Sequence, residues 1–345
     1  MTSTNMVQLK RIAQEASVSI GTVSRVLSNK SQVSDKTKKR VLEVAQHLNY
    51  RPNRLVRAIQ SGKTQTIGII LNPEFEFLAQ ILAGIQDALA DRDHLSIVVK
   101  ARKLGPDLAD SSNELELIHR LIEQRVDGII ICPIQDATPD EALHEAWKHR
   151  LPVVCVDRKM PNTHADFAGT DDYLGGKIAA EYLLSLGHRH IAQLAGPSFT
   201  STGLLRRQGF EDALSGHDVT YHMLEDPCFN HGLKQARQLL RCTPRPTAVF
   251  AAADLMALAV YQAASELELR IPQDLSVVGF ADMSFAPIIS PALTTVKQSP
   301  KQIGHQAVKL LFQRAQGDFP ELEPQSICIK PELIVRASSI TFKTD

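Results

Sequence analysis

The stretch LKRIAQEASVSIGTVSRVL, residues 9–27, predicts two short amphipathic helices joined by an Ala-Ser-Val-Ser corner, which is the plan of a helix-turn-helix. Ser19 stands where its hydroxyl can cap the second helix. The apolar residues on the facing sides of the two helices are Ile12, Ala13, Ala16, Val23, Val26 and Leu27. Small alanines let helices cross closely, so we expect a compact helical head.

The start of the second helix leaves a face directed outward that is made of Ile20, Gly21, Ser24 and Arg25. In a helix-turn-helix this end of the second helix meets base edges in the major groove, where an arginine is suited to reading guanine. Many enzymes also contain two short helices joined by a polar turn, so spacing alone leaves that alternative open.

Charge separates the head from the rest of the chain. Residues 1–63 carry 12 Lys and Arg against 3 Asp and Glu, a net charge of +9. The remaining residues carry 26 Lys and Arg against 35 Asp and Glu, a net charge of −9. The total charge is therefore zero although the two parts of the chain have opposite charges. A basic head favours nucleic acid as a partner, because phosphate contacts dominate such binding.

The chain after residue 33 completes the head and leads out of it. Ser34 is placed to cap a third helix, and Asp35 suits its positive end. Pro52 interrupts the helical pattern, and residues 53–60 are long enough for two helical turns, which are too short to persist alone.

One longer stretch resembles a known family. VSIGTVSRVLSNKSQVSDKTKKRVLEVAQHLNYRPNRLVRAIQSGKTQTIGIIL, residues 18–71, is similar to the amino-terminal region of the lactose-repressor (LacI/GalR) family of bacterial transcription regulators. The Val-Ser-x-x-Thr-Val-Ser-Arg-Val core, the Val-Ser before the third helix, the Tyr-x-Pro-Asn link and the Thr-Ile-Gly strand occur in family order. Further matches continue to residue 340 or so, and therefore cover nearly the whole chain.

The resemblance implies a hinge helix over residues 53–60 that is ordered when a dimer sits on its operator. It places Ile59 where the family usually has Leu, as an apolar wedge in the minor groove. An ordinary linker, with Ile59 packed on the body, is the alternative. The DNA-binding residues expected from the motif and the resemblance together are Ile20, Gly21, Thr22, Ser24, Arg25, Asn29, Arg57 and Ile59.

Beyond residue 64 the sequence alternates apolar strand candidates with amphipathic helices. The strand candidates are residues 66–71, 95–100, 128–132, 153–157, 190–195, 248–252 and 276–280. This alternation predicts doubly wound parallel sheets covered by helices, and the length suits two lobes. The resemblance implies a body like that of periplasmic binding proteins, crossed three times by the chain near residues 161–164, 290–294 and 325–328.

The expected organisation is therefore a small all-α helix-turn-helix domain over residues 1–50, a hinge and linker over 51–63, and an α/β two-lobed body over 64–341. Lobe one is predicted to contain 64–162 and 293–326, and lobe two 163–292 and 327–341.

Ligands of doubly wound sheets bind beyond the carboxyl ends of strands, so the cleft between the lobes is the expected effector site. The resemblance places a ligand-binding arginine just before the Gly-Phe pair, at Arg206, and aligns Thr200 and Thr202 with ligand contacts. Asp157 and Asp171 suit either ligand hydroxyls or helix caps. Asp254 and Asp282 follow predicted strands and are further candidates for contacts with the effector. Phe75 and Phe77 could either stack on a ring of the ligand or pack in the core.

Two departures from the family bear on the ligand. Ala281 stands where the family commonly has a sugar-binding Asp, and Ala253 where it commonly has Asn. A pocket without these polar groups disfavours unsubstituted hexoses and favours a ligand with an apolar or anionic part held by Arg206. A pocket that no longer binds a ligand is the alternative.

Other function classes find little support in the sequence. No nucleophile elbow, zinc-protease motif or dinucleotide fingerprint occurs, so no catalytic residue, metal or cofactor is expected. The five cysteines show no close pairing, which suits reduced, mostly buried thiols in a cytoplasm. No signal peptide or membrane-length apolar run is present.

These observations predict a cytoplasmic transcriptional regulator, most simply a repressor. We expect it to bind a double-stranded palindromic operator as a homodimer, under the control of a sugar, a sugar derivative or another small metabolite. A solute receptor of periplasmic type shares the body but should have an export signal and no basic head. An activator with the same architecture remains open, whereas a sugar-modifying enzyme needs a carboxylate pair or phosphate loop that the sequence does not show.

Overall fold

The computed structural model describes residues 3–27, 33–50, 62–100, 112–133, 140–160, 165–226, 232–316 and 323–342. The chain forms two compact units. The first contains Met1–Thr66 with Arg125–Asp127, and the second contains Ile67–Gln124 with Gly128–Asp345.

The described part of the first unit contains the helices α1 (Ser3–Glu15), α2 (Ile20–Leu27) and α3 (Asp35–His47). Both predicted caps are confirmed. The hydroxyl oxygen of Ser19 accepts from the backbone N–H of Thr22 at 3.1 Å, and that of Ser34 accepts from Thr37 at 3.4 Å.

The head packs around the residues that the helical spacing indicated. Those buried are Ile12, Ala13, Ala16, Val23, Val26, Val41 and Ala45, while Leu27, Val44 and Leu48 are half-buried at the edge of this cluster. A core of this size stabilises a small domain only modestly.

The second unit alternates strands and helices. Its strands are β1 (Thr66–Ile70), β2 (Leu95–Val99), β3 (Ile129–Ile131), β4 (Val153–Val156), β5 (Asp166–Thr170), β6 (His190–Ala195), β7 (Thr220–Glu225), β8 (Ala248–Ala251), β9 (Ser276–Ala281), β10 (Thr294–Lys297), β11 (Ser326–Ile329) and β12 (Glu332–Ile334). Its helices are α4 (Glu76–Ala90), α5 (Ser112–Glu123), α6 (Asp140–Lys148), α7 (Asp172–Ser185), α8 (Ser201–Leu214), α9 (Leu233–Leu239), α10 (Asp254–Glu266) and α11 (Pro300–Gln316).

In the described residues the strands form two six-stranded sheets, which confirms the two-lobed α/β body. The first sheet has the order β11-β5-β4-β3-β1-β2 and the second β12-β10-β9-β8-β6-β7. β12 runs antiparallel to β10, whereas β9 and β10 pair in parallel. In the second sheet, neighbouring residues such as Val249 and Phe250 point into separate hydrophobic clusters, so both faces are covered.

The predicted lobe boundaries were wrong at each crossing. β5 belongs to the first sheet although residues 163–170 were assigned to lobe two, and β10 belongs to the second sheet although it was assigned to lobe one. β11 lies in the first sheet, although residues 327–329 were assigned to lobe two. The chain thus crosses near 171, 298–299 and 330–331. The physical reason is that these strands are short and partly polar, so their apolar pattern is weak.

Two glycines bring α7 and α8 into backbone contact. A Cβ added to Gly176 would lie 2.0 Å from the carbonyl oxygen of Arg206, and one added to Gly209 would lie 1.9 Å from that of Tyr173. Because no side chain separates the helices at these points, Asp172 at the start of α7 comes within reach of Arg206 on α8.

The thiols are less buried than expected. Cys132 and Cys155 are buried, Cys242 is half-buried and Cys328 is exposed on β11, while Cys228 lies outside the described residues. Among the helices that could be searched, none is both long and apolar enough to span a bilayer.

Candidate functional sites

The outward face of α2 has the composition that a recognition helix needs. Ile20 is 40% exposed, and Gly21 and Arg25 are exposed, whereas Thr22 and Ser24 are half-buried. The Nε of Arg25 donates to the carbonyl of Gly21 at 3.2 Å. A Cβ at Gly21 would meet no atom closer than 3.7 Å, so the packing of the head itself does not require glycine there.

Basic side chains on α3 lie in the same unit as this face. Lys36, Lys39 and Arg40 are exposed, and Lys38 is half-buried. Positive charge of this kind supplies the sequence-independent part of DNA affinity. Asn29, Arg57 and Ile59, and with them the predicted hinge helix, lie outside the described residues and remain predictions.

In the body, Arg206 lies at the centre of a buried charge cluster. Its Nε donates to Oδ1 of Asp172 at 2.7 Å, and its Nη1 donates to the carbonyl of Ala252 at 2.8 Å. The guanidinium carbon stands 3.8 Å from the centroid of the Phe280 ring. The side chains of Arg206 and Asp172 are 11% and 4% exposed. Their pairing holds Arg206 in one orientation.

The charged groups of this cluster come from both lobes. Burial raises the pKa of Asp172 to about 7, although the charge of Arg206 opposes that change and Asp157 adds to it. Burial also raises the pKa of Asp157, while Arg158 and Arg206 lower it. Asp157 follows β4 in the first lobe, and Arg206 lies on α8 in the second. Two predicted effector residues from different lobes are therefore near each other.

Three other predicted residues act as caps or support caps in this structure. Asp171 caps α7 by accepting from the N–H of Leu174 at 3.0 Å. Thr200 is fully buried and caps α8, accepting from Gly203 at 3.1 Å while donating to the carbonyl of Pro197. Thr202 is 5% exposed and lies against Thr200, with 3.4 Å between the hydroxyl oxygens. The capping alternative for Asp171 thus has direct support.

The carboxylates after the second-lobe strands bind other parts of the chain. Asp254 is fully buried, and its oxygens accept from the hydroxyl of Thr295 at 2.6 Å and from the N–H of Met283 at 2.8 Å. Burial raises its pKa despite these hydrogen bonds. Asp282 accepts from Nη2 of Arg336 at 2.6 Å. Asp254 therefore ties β10 to the end of β9 and does not face the cleft as a bare ligand contact.

A cavity of about 360 Å³ lies where α4, the end of β9 and the start of α11 meet. Of the predicted effector residues it includes Asp282, together with Phe77 and the departure residue Ala281. Ala281 has a φ of 129°, a backbone angle that side-chain-bearing residues rarely adopt. Phe75 is 41% exposed and does not line this cavity.

Sequence reasoning missed Asp172, Phe280 and the carbonyl of Ala252 as partners of Arg206. It also missed Glu76, whose carboxylate accepts from the backbone N–H and the hydroxyl of Ser284 at 3.1 and 3.0 Å across the two lobes. The glycines at 176 and 209 were the available signal for the close helix pair. In the part of the chain that the structure describes, no group of three or more His, Cys, Asp or Glu is arranged to hold a metal ion.

Comparisons with known proteins agree with this architecture. Residues 8–53 match the family described as bacterial regulatory proteins, lacI family, and residues 180–339 match a periplasmic binding protein-like domain. The ribose operon repressor of Escherichia coli (strain K12) is 30% identical over 339 residues, covering 97% of this chain and 100% of that protein. The transcriptional repressor PurR of Histophilus somni (strain 2336) is 31% identical over 342 residues, covering 98% and 100%.

Among solved structures, a lac repressor dimer bound to operator and the anti-inducer ONPF is similar to this chain with a TM-score of 0.81 and 30% identity. The match covers 95% of this chain and 98% of that one. Because the similarity extends over whole relatives and includes both the head and the body, the chain belongs to the lacI family of bacterial regulatory proteins and is a DNA-binding regulator of transcription.

Proposed function

We propose that this regulator represses transcription by binding a palindromic operator as a homodimer, and that a small molecule in the cleft between its lobes changes the affinity for DNA. The observation that carries the DNA-binding part is the exposed face of α2, where Ile20, Gly21 and Arg25 lie on a capped helix in a basic unit. The names of the similar repressors and the operator-bound lac repressor dimer support repression and dimerisation.

The cluster around Arg206 supports the effector part of the proposal. Within the described residues, Nη2 of Arg206 has no hydrogen-bond acceptor, so this donor is available to a ligand. Asp157 reaches the same cluster from the other lobe. A ligand that accepts from Arg206 and donates to Asp157 would contact both lobes and would therefore favour one relative arrangement of them.

The domain roles follow the same scheme. Residues 1–50 bind DNA, residues 51–63 act as hinge and linker, and the body from 64 to 341 binds the effector and forms the dimer. We assign the chain to the cytoplasm, where its operator is, and assign it no catalytic role of its own.

The experiment is a comparison of two arginine variants in the full-length protein, using operator fragments selected from genomic DNA. Arg25→Ala should cost about 1 to 3 kcal/mol of specific binding and relax the preference at one base position in each half-site. Arg11→Ala is the matched control, because Arg11 is an exposed head arginine that pairs with Glu15 on α1. It should weaken binding less, and equally on all sequences. An Arg25→Ala loss that is uniform across sequences contradicts base reading.

A further inference from the structure

The cavity between α4, the end of β9 and the start of α11 differs in charge from the Arg206 cluster. Lys297 and Lys301 both line it. Neither ammonium group forms an ion pair with another described residue. Asp282, the carboxylate in the lining, is occupied by Arg336 at 2.6 Å. Both lysines are exposed, and no carboxylate of the described residues pairs with either, so the lining of the cavity carries uncompensated positive charge.

The Arg206 cluster is, in contrast, compensated within the protein. Arg206 pairs with Asp172 at 2.7 Å, and Asp157 approaches Arg158 at 3.9 Å. Each of these two arginines already has a carboxylate beside it, so the cluster is at least partly compensated within the protein and offers both hydrogen-bond donors and acceptors. The prediction that Arg206 anchors an anion stays a prediction, and the carboxylate of Asp172 beside it competes with such a ligand.

Close packing fixes the walls of the cavity. A Cβ on Gly84 would lie 2.2 Å from the carbonyl oxygen of Lys301, so α4 and α11 touch backbone to backbone. Gln80 of α4 lines the cavity together with Lys301. Gln298, which is 4% exposed, also lines the cavity and donates from Nε2 to the hydroxyl of Thr170 at 2.8 Å. The lysines therefore stand on a rigid frame.

We propose that this cavity binds an anionic group, a phosphate or a carboxylate, of the effector. Two lysines in the lining suit an oxyanion, because each ammonium group can donate a charge-assisted hydrogen bond to it. The inference refines the effector proposed above and rests on that function for its regulatory meaning. Since the lining comes from α4 of the first lobe and from residues 281–283 of the second, an anion held there contacts both lobes.

The test measures anion binding directly on the full-length protein, without DNA. Inorganic phosphate is titrated while its phosphorus NMR line width is followed, first with the wild type and then with Lys297→Met and Lys301→Met, singly and together. Each substitution should weaken phosphate binding by about tenfold, as expected for a lost hydrogen bond to a charged group. Lys309→Met is the matched control, because Lys309 is an exposed lysine of α11 that does not line the cavity.

A second titration compares glucose, glucose 6-phosphate and glucuronate, which separates phosphate from carboxylate as the bound group. Retained melting temperature in the lysine variants shows that they fold. The proposal is overturned if the wild type binds no phosphate at millimolar concentration, or if Lys309→Met weakens binding as much as the cavity variants. Because these measurements do not involve DNA, they can contradict the anion site while the Arg25 experiment supports the proposed function. The opposite pair of results is equally distinguishable.

Discussion

Replacing Asp172 by asparagine should change how the stability of the body depends on pH. The carboxyl of Asp172 has a pKa of about 7 in the folded protein because it is buried, against an ordinary value of 3.8. Between these two values the unfolded chain holds fewer protons than the folded chain. The free energy of unfolding therefore falls as the pH rises, and the stabilisation present below pH 4 or so is lost as the pH passes 7.

The size of the effect follows from the two pKa values. One pKa unit corresponds to about 1.4 kcal/mol, so the contribution of Asp172 to the free energy of unfolding should fall by about 3 kcal/mol between about pH 5 and pH 8. Arg206, Asp157 and Asp171 are the charged groups that act on it. Asp172→Asn cannot titrate, and its amide oxygen can still accept from Nε of Arg206.

The assay is urea unfolding of the wild type and the variants at about pH 5 and about pH 8. Asp171→Asn is the matched control, because Asp171 is the neighbouring carboxylate and asparagine replaces aspartate well as a helix cap. In Asp172→Asn, the fall in unfolding free energy from about pH 5 to about pH 8 should be smaller than in the wild type by about 3 kcal/mol. In Asp171→Asn it should match the wild type. The same pH dependence in Asp172→Asn and the wild type would refute the idea that a buried, proton-binding carboxyl supports Arg206.

Two further predictions concern the contacts that position the cleft. Gly176→Ala should destabilise the body by about 1 to 3 kcal/mol, since its new methyl would lie 2.0 Å from the carbonyl oxygen of Arg206 and must push α7 from α8. Unfolding like that of the wild type would contradict this. Glu76→Ala should weaken effector binding by about fivefold through loss of the contact to Ser284, with little change in melting temperature. Glu74→Ala, which removes an ion pair to Lys100 within the first lobe, is its control, and an equal effect of both would exclude an inter-lobe role.

The predictable part of the fold is the part in which apolar periodicity and burial coincide. The strands β1, β3, β4, β8 and β9 were found from their sequence because nearly every residue in them is buried. β5 was missed because it begins with Asp166, a residue type normally found at the surface. In the structure Asp166 is 2% exposed and its carboxylate is bound by Arg314 at 2.6 Å. A partner 148 residues away cannot be read from local pattern.

The candidate sites show the same limit. The outward face of α2 was predictable, because helix spacing and a cap determine which residues point away from a small core. The role of Asp254 was not, since its hydrogen bonds to Thr295 and Met283 depend on how β9 and β10 pair. Arg206 was found by resemblance, but its carboxylate partner depends on the contact between α7 and α8.

Hydrogen bonds between the lobes in the described part of the chain are individually weak, which suits a regulator. Ser284 binds Glu76, and the hydroxyl of Ser201 accepts from the N–H of Lys159 at 2.8 Å. Each such hydrogen bond contributes about 1 kcal/mol net, while the coupling between sites in allosteric proteins is typically about 1 to 3 kcal/mol. A ligand that replaces or reinforces two of these contacts therefore alters the balance between lobe arrangements by the amount that regulation requires. Residues that bridge the lobes should accordingly change the response to effector more than they change stability.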